Sequence, residues 1–221
     1  METLKDKKLP RVLTVANLIN QKIERIPFDG KFLDAFGAPQ NRGVWFLYGN
    51  SGSGKSTMVM LLAKELAKYY KTLYNSLEEE TDDSDFIDRV ALVNMQDVKS
   101  NFHAAQYNIE ELDEYLARRN SDKVVIIDSA TYFFKNKADY FSFKSKWAKK
   151  KIIIITGHAE GKNLRSELEK DIMYNAKMKV FVSGYLATNK GRTFGTTNNF
   201  IIWEEGYNKL RGENAHKEDK K

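Results

Sequence analysis

The sequence predicts an α/β fold: a three-layer core with a mainly parallel sheet, extended by antiparallel strands towards its C-terminal end. Three observations lead there. Runs rich in β-branched and aromatic residues at 44–48, 123–128 and 152–156 read as strands buried on both faces. Segments of helical spacing separate such runs, the pattern of strands joined by crossover helices. The first run enters a glycine-rich turn, Gly49-Asn50-Ser51-Gly52-Ser53-Gly54-Lys55-Ser56-Thr57, which opens directly into a helical pattern.

The elements follow in chain order. Thr14 is an N-cap candidate for a short helix over 15–23, where apolar residues recur near the helical period. Pro27 limits that helix, and a loop rich in Gly, Asp and Pro runs to Gly43. The strand at 44–48 leads through the turn into a helix over 56–69. A strand over 71–76 follows, then an acidic stretch and a helix over 83–93. The pattern at 94–107 favours no element, and 109–119 is helical. Ser121-Asp122 bounds the strand 123–128. A helix with aromatic residues covers 137–150, an apolar strand 152–156, and a further helix 164–175. Three short strands lie near 178–182, 185–189 and 199–203. An arm and short helix over 1–27 thus precede one domain over 28–206. A polar tail over 207–221 reads as disordered, and its last ten residues sum to zero charge.

Composition narrows the function. The 221 residues are 42% hydrophobic, enough for one substantial core. There is no cysteine, which excludes disulfides, a thiolate metal site and a cysteine nucleophile. Three scattered histidines argue against a histidine metal site. No run approaches the roughly 20 apolar residues of a membrane span, and the first ten residues lack an apolar signal region. The expectation is a cytoplasmic protein with no membrane partner. The net charge of +6 is unevenly spread. Residues 78–89 carry seven acids and one arginine, and 135–151 carry seven lysines and one acid. Two solvated faces would explain this; so would an acidic catalytic edge and a basic edge that meets polyanions.

The glycine-rich turn fits GxxxxGK[ST], the phosphate-binding P-loop, in the strand–loop–helix context that motif needs. Its glycines let backbone N–H groups turn inward around a phosphate, and the helix N-terminus adds its positive dipole end. Lys55 can reach the β- and γ-phosphates of ATP, and the Ser56 hydroxyl can sit on magnesium. Asp128 ends an apolar strand, where a carboxylate can hold that magnesium through water. Hydrolysis also needs a base to orient water. Glu78 follows the strand 71–76, and the carboxyl ends of parallel strands face the ligand crevice. Glu79 and Glu80 read as a solvated acidic loop. Thr156-Gly157-His158 follows an apolar strand, so His158 is either a γ-phosphate sensor or a loop histidine. Lys190-Gly191-Arg192-Thr193-Phe194-Gly195 falls at a hairpin turn, and reads as an ordinary basic turn or as a finger for a neighbouring subunit's nucleotide.

Taken together, these blocks resemble the RecA/RadA ATPases and the DnaB-type hexameric helicases, and they occur in the same order. Ser76-Leu77-Glu78 is similar to the helicase block that holds the catalytic glutamate. Residues 190–198 resemble the RadA Lys-Asn-Arg-Phe-Gly motif with one residue inserted. That resemblance implies that Lys190 or Arg192 acts on the adjacent subunit's ATP, in a ring or filament. Over residues 25–206 the chain looks most similar to short phage and mobile-element RecA-like ATPases, some grouped with single-strand-annealing recombination. The implied partners are copies of itself, single-stranded DNA, and recombination or replication proteins.

Candidate nucleic-acid contacts are Lys135, Lys137, Lys144 and Lys146 in the aromatic and lysine-rich stretch, and Lys162 and Arg165 after His158. Lysines neutralise phosphates and aromatic faces stack unpaired bases. Equally, Phe141, Phe143 and Trp147 can pack a helix on the sheet while the lysines reach outward. Three functions remain: a DNA-stimulated oligomeric ATPase, an ATP-gated adaptor with little turnover, and a small-molecule kinase.

Overall fold

A computed structural model describes residues 11–161, 163–191 and 196–210. The expectations for residues 1–10, Lys162, Arg192 and the tail from 211 lie outside the described residues. The strands, in chain order, are β1 Gly43–Gly49, β2 Thr72–Ser76, β3 Phe102–Ala105, β4 Val124–Asp128, β5 Ile152–Glu160, β6 Asn163–Leu164, β7 Met178–Ser183, β8 Leu186–Asn189 and β9 Asn199–Ile201. The helices are α1 Val15–Ile19, α2 Gly30–Phe36, α3 Lys55–Ala67, α4 Ser84–Leu92, α5 Ile109–Ala117, α6 Ala130–Phe133, α7 Lys137–Trp147 and α8 Glu167–Asn175.

The sheet runs β3-β2-β4-β5-β1-β7-β8-β9, with β6 paired to the end of β5. From β3 to β7 every pairing is parallel, and β8 and β9 add antiparallel strands. β5 lies between β1 and β4, so the strand that carries Thr156 and His158 separates the P-loop strand from the Asp128 strand.

The period of two along each strand explains the three layers. Trp45 and Leu47 face one apolar cluster with Ile126, Ile154 and the buried residues of α3. Val44, Phe46 and Tyr48 face the other, with Ile127, Ile155 and helices α5 to α8. Both faces are covered, which is why β1, β2 and β4 read as continuous apolar runs and are buried throughout.

Several local expectations need correction. The loop before Gly43 contains α2, whose Phe36 is buried against Phe200 of β9. The stretch 94–107 holds a 3-10 turn, Met95–Val98, and the edge strand β3. β5 continues to Glu160, so His158 sits within a strand, not in a loop after it. The helix expected from 164 begins at Glu167, after β6. α1 ends at Ile19, and no residue of it is buried. Its Thr14 cap is made as expected, as a capping box with Asn17.

Candidate active site

Position follows from topology. The P-loop, the turn after β2, the end of β4 and the end of β5 all lie at the carboxyl ends of parallel strands, where the crevice forms. A cavity of about 370 Å³ opens there, a size suited to a small ligand. It is lined by the glycine-rich loop and the first turn of α3, by Glu78, Glu79 and Arg89, and by His158 and Tyr185.

The loop is shaped by backbone. Gly52 and Gly54 take positive φ of 69° and 91°, a region that side-chain-bearing residues rarely adopt. A Cβ on Gly54 would sit 2.9 Å from the Tyr185 ring. Lys55 is buried at the first turn of α3. Asn50 Oδ1 and Ser53 Oγ are buried without a hydrogen-bond partner among the described residues. Orphaned polar atoms at a glycine cradle fit a loop built to receive a polar ligand.

Asp128 is held on both carboxylate oxygens. Tyr74 donates its hydroxyl to Oδ2 at 2.5 Å, and Thr156 donates Oγ1–H to Oδ1 at 2.5 Å. Burial, reinforced by the Asp128 charge, pushes the Tyr74 hydroxyl well above its ordinary pKa, so it remains a donor. Thr156, two residues before His158, is fully buried and turned to Asp128. The loss of a partner would leave a buried carboxylate oxygen unsatisfied.

Glu78 is placed by its neighbours' backbone. The N–H groups of Leu77 and Glu78 donate to the Asp128 carbonyl at 2.7 and 3.1 Å, and Ser76 Oγ closes the turn onto the Glu79 carbonyl at 2.6 Å. Asn75, one position earlier, exchanges two hydrogen bonds with the Tyr107 backbone and pins the end of β2. Glu78 then approaches His158 Nε2 at 3.4 Å. His158 Nε2 is also 3.5 Å from Ser129 Oγ. Glu79, expected in a solvated loop, lines the cavity and pairs with Arg89 of α4.

His158 connects outward as well. Its backbone N–H donates to Glu169 Oε1 at 2.7 Å. Glu169 is fully buried, and its other oxygen accepts from the Ser166 N–H and hydroxyl, closing the N-terminal cap of α8. One buried carboxylate therefore ties the end of β5 to the start of α8.

The remaining expected residues stand apart from this cavity. Lys190 is exposed beyond β8, with its ammonium 4.7 Å from the Phe181 ring centroid. Lys137 pairs with Asp171, Lys146 with Asp113, and Arg165 with Glu160. Lys144 donates to Asn175 Oδ1. Lys135 is exposed ahead of α7. Tyr140, Phe143 and Trp147 are buried, so α7 packs its aromatic face on the sheet.

Sequence reasoning missed Arg89, Tyr185, Tyr74 and Glu169. Arg89 carried a signal, as the one cation in the acidic run 78–89. Tyr185 carried none. It reaches the P-loop only through the β7–β8 hairpin, where its N–H donates to the Ser53 carbonyl.

A model of the RNA helicase family matches residues 45–156, half of the chain and the stretch that carries the P-loop, Glu78 and Asp128. No curated protein sequence matches. Among solved structures, the chain resembles the flagellar accessory protein FlaH of Methanocaldococcus jannaschii. The TM-score is 0.56 at 18% identity, over 80% of this chain and 93% of that one. It also resembles the KaiC-like protein PH0186 of Pyrococcus horikoshii OT3, with a TM-score of 0.61 at 16% identity, over 80% and 91%. The three-layer fold, with its parallel core and antiparallel C-terminal strands, is shared with both. The chain belongs to the RNA helicase family, and its fold is that of the RecA-like P-loop ATPases.

Proposed function

We propose that this protein hydrolyses ATP with magnesium and couples turnover to a nucleic acid, as an assembly whose copies share the ATP site. The observation that carries this reading is the meeting of Lys55, Glu78 and His158 on one cavity beside the doubly held Asp128. Magnesium, when bound, supplies charge neutralisation at the β- and γ-phosphate oxygens. Ser56 and Asp128 are the residues that would hold it, Asp128 through water. Lys55 and the loop amides stabilise negative charge on the γ-phosphoryl group. Glu78 orients the attacking water and accepts its proton. His158, hydrogen-bonded through its backbone to Glu169, relays the loss of the γ-phosphate to the β5–β6 turn and α8. Lys190 or Arg192 completes a neighbour's site.

The nucleic acid is the less constrained half. The resemblance noted in the sequence favours single-stranded DNA in phage or mobile-element recombination, with recombination or replication proteins as further partners. The family's name brings RNA into the same frame. Steady-state ATP hydrolysis with and without single-stranded RNA and DNA tests the coupling. Stimulation by either polymer supports it. Equal, slow rates in all three conditions contradict it and favour an ATP-gated adaptor.

A further inference from the structure

The strongest unexplained feature lies at the other end of the sheet. Five of its six parallel strands are preceded directly by a cation: Arg42 before β1, Lys71 before β2, Lys123 before β4, Lys151 before β5 and Lys177 before β7. These positions are at the amino ends of the strands. The P-loop, Glu78, Asp128 and His158 are at the carboxyl ends, about 20 Å away along a strand of seven residues.

Most of these cations are fixed but not neutralised. Arg42 donates to the Lys149 carbonyl, Lys123 to the Lys150 carbonyl, and Lys151 to the carbonyls of Ser121 and Asp122. Lys177 donates to the side-chain amide of Gln40. All these acceptors are neutral, so the positive charge persists. Helix-end carbonyls and turns account for where these side chains are anchored. They do not account for Arg119, Lys149 and Lys150, which are exposed on the same face and make no ion pair among the described residues. The nearby acids are few. Asp113 serves Lys146, Glu114 serves Arg118, Glu24 lies towards Lys123, and buried Asp122 accepts from Tyr115. Burial holds the Lys151 ammonium below its ordinary pKa; Asp122 opposes this, while Lys123 and Lys150 add to it. Like charges are crowded here.

Two grooves flank the turn after α7. One, of about 570 Å³, has an apolar wall of Val44, Phe141 and Ala148 under a rim of Arg42, Lys149 and Lys177. The other, of about 510 Å³, is rimmed by Arg119, Lys123, Lys150 and Lys151. The cations from β2 to β7 span four strand spacings, about 19 Å. A single phosphate cannot engage that width, but a polyanion can. Phe141 is 43% exposed beside the first groove and offers a face for an unpaired base.

We infer that the amino-terminal end of the sheet is a binding surface for the backbone of a single-stranded nucleic acid, separate from the ATP cavity and from Lys135 and Arg165. This rests on the proposed nucleic-acid coupling for the kind of polymer, but not for the location.

The test is fluorescence anisotropy of labelled single-stranded RNA and DNA on the full chain, without ATP, across a salt series. The variant combines Arg119→Gln, Lys149→Gln and Lys150→Gln, all exposed, so folding is expected to hold. Its affinity should fall at least tenfold at low salt. The slope of log K against log salt should shrink by about 2, from about 0.7 per lost phosphate contact. ATP turnover without nucleic acid should match the unaltered protein. Binding and slope unchanged in the variant, with loss in Lys135→Gln/Arg165→Gln, would overturn the location and leave the coupling intact. No binding by the unaltered protein at any salt would overturn the polymer in both readings. Variant-sensitive binding to poly-glutamate or anionic vesicles without oligonucleotide binding would overturn the nucleic acid as occupant.

Discussion

Asp128 shows how single side chains set this site. Its two oxygens are committed to Tyr74 and Thr156, which fixes the carboxylate's direction. Thr156→Val keeps the shape and removes one donor. Magnesium affinity, measured by titrating ATP turnover, should fall by about 10-fold, the usual scale for a residue that orients a ligand. Lys55→Ala should lose ATP binding or slow turnover by about 100-fold or more, since it would remove the cation proposed to meet the γ-phosphoryl charge. Tyrosines give a pH signature. Burial, with Glu65 beside it, pushes Tyr69 up to about 12, and burial beside Asp128 raises Tyr74 as well. Unfolded tyrosine ionises at its ordinary value of 10.0, so above that pH the unfolded state binds fewer protons. Stability should therefore be full below pH 10 and fall as pH rises towards 12, read as a falling denaturant midpoint. Tyr74→Phe should flatten that fall.

At the scale of elements, β5 is the connector. It separates the P-loop strand from the Asp128 strand, carries Thr156 and His158, and reaches α8 through Glu169. Glu169→Gln retains one acceptor and turns a donor towards the Ser166 or His158 amide. The expected cost is about 1–3 kcal/mol of stability by denaturant titration, with a change in turnover. A stability loss with turnover intact would remove the relay through His158. Much of this was legible beforehand. The strands of the parallel core announced themselves because both their faces are buried, which leaves long apolar runs. α2, β3 and β6 did not. They are only two to seven residues long, and tertiary partners stabilise them: Phe200 beside Phe36, β2 beside β3 and β5 beside β6. The candidate site divides the same way. Residues at or just past a strand end, such as Asp128 and Glu78, followed from the chain's order. Tyr185 and Glu169 needed the hairpin and the α8 cap to bring them in.

The whole molecule has two poles. The carboxyl ends of the strands gather the P-loop, the acids and His158, while the amino ends gather cations held by neutral acceptors. If copies share the ATP site, Arg192→Ala or Lys190→Ala should lose activity alone. Mixing with Glu78→Gln subunits should restore part of it, because an intact site re-forms between unlike subunits. No recovery at matched assembly would argue against the shared site. The central claim is simpler: Glu78 activates water for a nucleotide held by the P-loop. The most direct measurement is ATP binding beside steady-state hydrolysis for the unaltered protein and Glu78→Gln. The account predicts equal ATP affinity and turnover reduced by about 100-fold or more in the variant. Unchanged turnover would contradict it and remove Glu78 from the reaction.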